Sequence, residues 1–171
     1  MNKNLRLFYI LLLVTATAAG LRYYEGQNSA EIQSYDSAAF AVADTASVDR
    51  IFIADKDGNS VLIERTTGRY WTLNGKYFAR KDAVDLLLKT MLRARVKSPV
   101  AKAELENVNR LLAGRAKKVE IYQGGEEPVK TWYIGTSTQN HTGTYMVLGK
   151  ADESIAEEPF VVHMEGFTGF L

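Results

Sequence analysis

Histidines and cysteines are the residue types that most often carry nucleophilic or metal chemistry, and this chain has few of them. It has two histidines, His141 in a polar loop and His163 in an apolar stretch, and no cysteine. A site made of both histidines and a carboxylate stays open, but nothing in the spacing places the two together, so we favour ordinary solvated or hydrogen-bonded histidines. The lack of cysteine excludes a thiolate nucleophile, a cysteine–zinc site and a disulfide framework.

Three acidic segments have the composition of functional loops but not their spacing. Residues 55–59, Asp-Lys-Asp-Gly-Asn, begin like a calcium loop, yet Ser60 and Thr66 stand where that loop requires glycine and glutamate. A tight hairpin turn is therefore favoured. The glutamate pairs 126–127 and 157–158 are adjacent in sequence, and adjacent side chains diverge in an extended loop. The sequence also has no nucleophile elbow and no phosphate loop, so we predict no catalytic residue, metal ligand or cofactor.

Aromatic and basic residues are the remaining candidates for a functional surface. The aromatic residues on predicted strands would form an exposed platform or, more commonly, fill the core of a sheet. The region from Arg93 to Lys118 has eight basic and two acidic residues. It could contact anionic lipid, a polyanionic glycan or an acidic partner, or be a solvated helix surface. Our candidate binding surface consists of Trp71, Tyr77, Trp132, Tyr133, Arg93, Arg95 and Lys97.

Alternation of apolar and polar residues predicts two groups of strands. The first group is joined by turn sequences that include Asp57-Gly58 and Asn74-Gly75, which are typical of tight hairpins. Its strands are expected at residues 50–54, 60–65, 70–73 and 76–78. The second group is expected at residues 118–122, 129–134, 144–148 and 160–164. Each group would form an antiparallel meander.

Between the meanders the pattern changes to helical spacing. Asp82 is a suitable N-cap, and the apolar residues that follow form one stripe, which predicts a helix ending near Val96 because Pro99 restricts the preceding residue. A second helix is expected at residues 102–113. We therefore predict an α+β domain over residues 39–171, in which two antiparallel β meanders flank a central pair of helices.

Fifteen uncharged residues, Leu7 to Leu21, lie between Arg6 and Arg22. This run suits a permanent membrane anchor or a signal peptide cleaved near residues 16–18, and both alternatives stay open. We expect residues 1–24 to be an N-terminal membrane helix or signal segment and residues 25–38 to be a linker. The expected location is a single-pass inner-membrane protein with a periplasmic C-terminal domain, or an exported protein after signal cleavage.

The order of these features resembles a known family. The motifs are Phe40-x-Val42-x-Asp44-Thr45, Trp71-x-Leu73-Asn74-Gly75, Arg95-Val96-x-x-Pro99-Val100, Lys118-Val119-x-Ile121-Tyr122 and Gly143-Thr144-Tyr145-Met146. Together they resemble the bacterial domain of unknown function 4340 over most of residues 40–171. The resemblance implies an envelope protein related to domains of gliding-type ABC-transporter auxiliary components, and it supplies no catalytic residues. Members are often longer, so the resemblance also implies a chain shortened at its C-terminus.

These observations lead to three functional hypotheses. The first is a noncatalytic, membrane-tethered extracytoplasmic domain that binds an envelope protein partner, such as a transporter-associated assembly, through strand edges or an aromatic face. The second is a glycan- or lipid-binding envelope domain, and the third is a hydrolase with an unrecognised site. A net charge of +1 gives no case for a nucleic-acid partner, and the identity of any small-molecule ligand is left open.

Overall fold

The computed structural model describes residues 12–20, 35–67, 70–149 and 158–167. The chain divides into two compact units, Met1–Tyr35 and Asp36–Leu171. In the first unit, residues 12–20 form helix α1, and the side chains of this helix are exposed.

The N-terminal prediction of a membrane helix is corrected by the structure. Within the described part of the chain, no helix has the length and apolar character needed to cross a membrane. The expected single-pass inner-membrane location is therefore not supported. The rest of the predicted segment, residues 1–11 and 21–24, lies outside the described residues.

The second unit is built on one antiparallel sheet. Its strands are β1 (Arg50–Ala54), β2 (Ser60–Arg65), β3 (Trp71–Leu73), β4 (Tyr77–Phe78), β5 (Ala94–Pro99), β6 (Lys117–Tyr122), β7 (Lys130–Ser137), β8 (Thr144–Leu148) and β9 (Phe160–Met164). The helices are α2 (Lys81–Arg93) and α3 (Leu105–Arg115). In the described residues the nine strands lie in the order β4-β3-β2-β1-β6-β7-β8-β9-β5.

The prediction of two meanders flanking a helix pair was wrong, because the meanders join edge to edge into a single sheet. Strand β1 pairs with β6, and Ile51 lies opposite Ile121 in this register. Both isoleucines are fully buried, so the pairing removes their apolar side chains from water. The helices consequently do not separate two sheets.

Strand β5 was not expected, because the first helix was predicted to continue to Val96. The helix ends at Arg93, where Ala94 adopts an extended backbone with φ −62° and ψ 123°. Residues 94–99 then pair with β9 at the end of the sheet. The predicted cap was also misplaced: Arg80 is the N-cap residue, without a capping side-chain bond, and Asp82 lies in the first turn.

The hairpin turns form as the sequence predicts. Asn74 and Gly75 have φ values of 51° and 65°, as the tight turn between β3 and β4 requires. In the β1–β2 turn, a carboxylate oxygen of Asp55 accepts hydrogen bonds from the backbone N–H groups of Asp57 and Asn59 at 3.0 and 2.9 Å. This loop is therefore a turn that is stabilised by hydrogen bonds between its own residues.

Both faces of the sheet contribute to the core. On one face, α3 packs through Val108 and Leu112 onto Tyr133 and Val147. On the other face, Phe40 is fully buried, and its ring centroid lies 6.2 Å from that of Phe160 in an edge-to-face contact. The segment before β1 thus covers the face that α3 leaves open.

Candidate functional site

The structure places most of the predicted aromatic surface in the core. Trp132 is 2% exposed and Tyr133 is part of the cluster beneath α3. Trp71 is buried, and the Arg65 guanidinium lies 5.0 Å from its ring centroid. Tyr77 is the exception, because 69% of its surface is exposed. The binding role of these four residues stays a prediction, but only Tyr77 is accessible to a partner.

The predicted basic residues lie at the other end of the sheet. Arg93 is exposed at the end of α2, and Lys97 is exposed on β5. Arg95 is half-buried and forms an ion pair with Glu165 at 3.4 Å. Because β5 and β4 are the two terminal strands of the sheet, the structure does not bring Tyr77 together with the basic set.

A different aromatic surface is exposed at the β4 end of the sheet. Tyr70, Tyr77 and Phe78 are 65%, 69% and 79% exposed, and we call these three residues the aromatic edge. The Tyr70 and Phe78 rings meet edge to face with their centroids 6.1 Å apart. Solvated aromatic side chains that adjoin one another are typical of interaction surfaces. Sequence reasoning placed Tyr70 and Tyr77 among the strand aromatic residues and included only Tyr77 in the candidate binding surface, and it did not identify Phe78.

Among the described residues, no strand pairs with the outer side of β4. Phe78 lies opposite Thr72, while the neighbouring Ala79 N–H donates to the Trp71 carbonyl at 2.7 Å. In an antiparallel ladder the residues that bond to the partner strand alternate with residues that point away. The N–H and C=O of Phe78 therefore point away from β3, and no described strand lies beyond β4.

The opposite edge, formed by β5, is protected. The Val96 N–H donates to the Ser37 carbonyl at 2.8 Å, so the preceding segment covers part of this edge. The register shifts between Val96 and Ser98, and Pro99 ends the strand. Bulges, lysine, proline and chain cover are devices that prevent further strand pairing. The two edges of the sheet therefore differ in their capacity to accept another strand.

Charge around the aromatic edge is positive. The described residues 70–85 include three basic and two acidic residues, a net charge of +1. Arg80 pairs with Asp82, and Lys81 pairs with Asp85, each at 2.5 Å. Lys76, at the tip of the β3–β4 hairpin, is exposed. The surroundings of β4 therefore favour a negatively charged partner segment.

A polar cleft of about 400 Å³ lies over β6 and the start of β7. Its floor includes Glu120, which accepts bonds from Lys118 at 2.6 Å and from the Tyr122 hydroxyl at 2.9 Å. Arg50 lies 4.1 Å above the Tyr122 ring and donates to the Gly125 carbonyl at 2.8 Å. Burial, followed by the bond to Glu120, raises the pKa of Tyr122. These side chains satisfy one another's hydrogen-bonding groups, so we assign them a structural role.

The two histidines occupy separate elements. His141 lies in the loop between β7 and β8 with a φ of 54°, and His163 lies on β9. The buried Nδ1 of His163 has no hydrogen-bond partner among the described residues. In that same part of the chain, no group of three histidine, aspartate or glutamate side chains is arranged to hold a metal ion.

Comparison of the chain with protein-family models, curated proteins and solved structures gives no match in any of the three. The resemblance to the domain of unknown function 4340 therefore stays a prediction.

Proposed function

We propose that the unit Asp36–Leu171 is a noncatalytic protein-binding domain that contacts its partner through the aromatic edge. The observation that carries this proposal is the exposure of Tyr70, Tyr77 and Phe78 beside an open strand. Aromatic side chains are enriched in protein interfaces and supply many of the residues that dominate binding energy. The membrane tether expected from the sequence is not part of this proposal.

The chemistry of the partner follows from the charge around β4. A net charge of +1 over residues 70–85, with Lys76 exposed at the hairpin tip, supports a partner with an acidic contact segment. A polyanion without apolar groups would leave the three rings in water, whereas a protein segment supplies apolar side chains and carboxylates together. We therefore propose a protein partner whose contact segment combines apolar side chains with carboxylates.

The size of the aromatic edge indicates that additional contacts are needed. Burying one large apolar side chain contributes about 2 kcal/mol, so the three aromatic residues supply roughly 6 kcal/mol. Association costs on the order of 4 to 15 kcal/mol in lost freedom of motion. Stable binding consequently requires contacts besides the rings, and the open backbone of β4 is adjacent to them.

Site-specific crosslinking in cells tests the proposal. A photoreactive amino acid replaces Phe78 in one variant and Leu86 in the control, because Leu86 is an exposed apolar residue of α2 with 59% exposure. We expect one protein to be captured from position 78 and not from position 86. The purified captured protein should bind the full chain, and binding should weaken at least about tenfold in Tyr77→Ser combined with Phe78→Ser.

Equal capture from positions 78 and 86 would contradict the proposal. So would unchanged affinity of the purified partner for the double-serine variant. Because Tyr77 and Phe78 are exposed, this variant is expected to keep the fold, which circular dichroism verifies. A loss of binding would then report on the surface and not on unfolding.

The alternative of glycan or lipid binding depends on the basic residues at the β5 end. Arg93 and Lys97 are exposed there, and binding to heparin or to vesicles containing anionic lipid should fall when both are replaced by glutamine. Such a loss, together with unchanged binding of the Phe78→Ser variant to heparin or to the vesicles, would favour this alternative over the aromatic edge.

A further inference from the structure

We infer that the partner binds by adding an extended, acidic-ended segment to β4 as a further strand of the sheet. This inference rests on the proposed function and specifies its binding mode. The alternative mode is contact through side chains alone, with no main-chain hydrogen bonds. Strand addition requires the partner's backbone N–H and C=O groups to bond to β4, whereas contact through side chains does not.

The backbone and side chains of β4 both suit strand addition. The outward N–H and C=O of Phe78 can bond to an extended segment, as in known cases of added strands. Tyr77 and Phe78 are consecutive strand residues, so their side chains lie on opposite faces of the sheet. Phe78 lies with Tyr70 on one face. An added strand, whose side chains also alternate, would find an aromatic contact on each face.

The contrast with β5 strengthens the inference. The chain covers the β5 edge with Ser37, interrupts it with a register shift and ends it with Pro99. At β4 the described residues show no covering segment, and the side chains are aromatic instead of basic. Unprotected edges are the positions at which sheets accept further strands.

Charge argues for a different protein rather than a second copy of this chain. An antiparallel pair of β4 strands centred on Phe78 would place Lys76 of one copy opposite Arg80 of the other, and Arg80 already pairs with Asp82. This register brings two cations together and offers Lys76 no free carboxylate, and like charges directly opposite one another destabilise a strand pair. A segment with glutamates at its ends would instead place carboxylates near these two basic residues. Heterologous binding is therefore favoured.

A designed peptide tests the mode directly. The probe is acetyl-Glu-Glu-Val-Thr-Val-Tyr-Val-Glu-Glu-amide, titrated into the ¹⁵N-labelled full chain. We expect the Phe78 amide to shift and its hydrogen exchange to slow at least about tenfold, with a dissociation constant on the order of 1 mM or lower. A control peptide with lysine in place of the four glutamates should bind several-fold more weakly.

Backbone methylation of the peptide separates strand addition from side-chain contact. In one version the three valines carry N-methyl groups, and in the other the threonine and tyrosine carry them. Because only one set of N–H groups faces β4, one version should lose binding at least about tenfold while the other keeps it. Both versions retain every side chain, so side-chain contact alone predicts equal loss or equal retention.

The remaining outcomes also decide the inference. No binding of the unmethylated peptide at about 5 mM would overturn it. Crosslinking from position 78 to a partner, combined with equal binding of both methylated versions, would overturn strand addition but leave the proposed function standing. Concentration-dependent dimerisation that Phe78→Lys abolishes would show that the edge binds a second copy. Loss of both crosslinking and peptide binding would refute the proposed function as well.

Discussion

Gly135 of β7 lies beneath α3, and replacing it with alanine is expected to destabilise the domain. A Cβ atom at this position would lie 2.8 Å from Leu112 Cδ2 and 3.1 Å from the Tyr145 carbonyl oxygen. Both distances are shorter than ordinary contacts, and the second involves backbone that cannot rotate away. The helix must therefore shift, or Leu112 must leave its position in the α3 cluster.

The expected loss of stability follows from two opposing contributions. Adding a methyl group to a packed site costs about 1 to 3 kcal/mol. Replacing glycine with alanine restricts the unfolded chain, which stabilises by about 0.5 to 1 kcal/mol. We therefore expect Gly135→Ala to lower the free energy of unfolding by about 1 kcal/mol, and by no more than about 2.5 kcal/mol, measured by urea denaturation with tryptophan fluorescence.

A glycine on α3 provides the matched control. No atom lies within 4 Å of a Cβ placed on Gly114, and alanine is about 1 kcal/mol more favourable than glycine in a helix. Gly114→Ala should therefore raise the free energy of unfolding, by up to about 1 kcal/mol. Leu112→Ala should cost about 1 kcal/mol less in the Gly135→Ala background than in the original chain. An increase in stability of Gly135→Ala that matches the increase of Gly114→Ala would refute the packing of α3 on β7.

Four further substitutions test other parts of the structure. Trp71→Ala should cost about 3 to 5 kcal/mol because the ring is buried, whereas Phe78→Ser at the exposed edge should change stability by less than about 0.5 kcal/mol. Phe40→Ala should cost about 3 to 5 kcal/mol, because its buried ring fills one face of the core. Burial and the bond to Glu120 raise the pKa of Tyr122 above its ordinary value of 10.0. The neutral hydroxyl therefore contributes stability below pH 10.0, and this contribution is lost as the pH rises through the pKa of the folded state. Tyr122→Phe should weaken this loss of stability at alkaline pH.

Urea denaturation curves measure the free energy of unfolding of each of these four variants. Equal losses for Trp71→Ala and Phe78→Ser would mean that the two side chains are equally buried. A small loss for Phe40→Ala would show that the segment before β1 does not cover the sheet. An unchanged pH dependence between the original chain and Tyr122→Phe would assign the alkaline loss to another group, such as Tyr145, whose pKa is also raised by burial.

Local sequence signals identified most strands but not how they are arranged. Alternation located β1, β2 and β6, and Asn74-Gly75 located the β3–β4 turn. Alternation shows which face a residue occupies but not which strand lies beside it. The pairing of Ile51 with Ile121 depends on contacts 70 positions apart, so the joining of the two meanders was missed.

The same limitation explains the errors at β5 and at the site. Ala94 and Val96 are buried and alternate with Arg95 and Lys97, but this short signal follows directly on a helical stripe and was read as its continuation. Phe78 was overlooked because its exposure depends on β4 being the last strand of the sheet. The sequence could not determine which strand occupies that position.

The placement of β5 beside β9 has a consequence for synthesis. Ala94 lies opposite Met164, which follows it by 70 positions, so the earlier strand finds its neighbour only after the intervening chain has been synthesised. Until then residues 94–99 of the nascent polypeptide cannot pair with β9. The sheet should therefore be completed at β5 only after β9 has emerged from the ribosome, and a chaperone that binds residues 94–99 in the interval should increase the yield of folded domain.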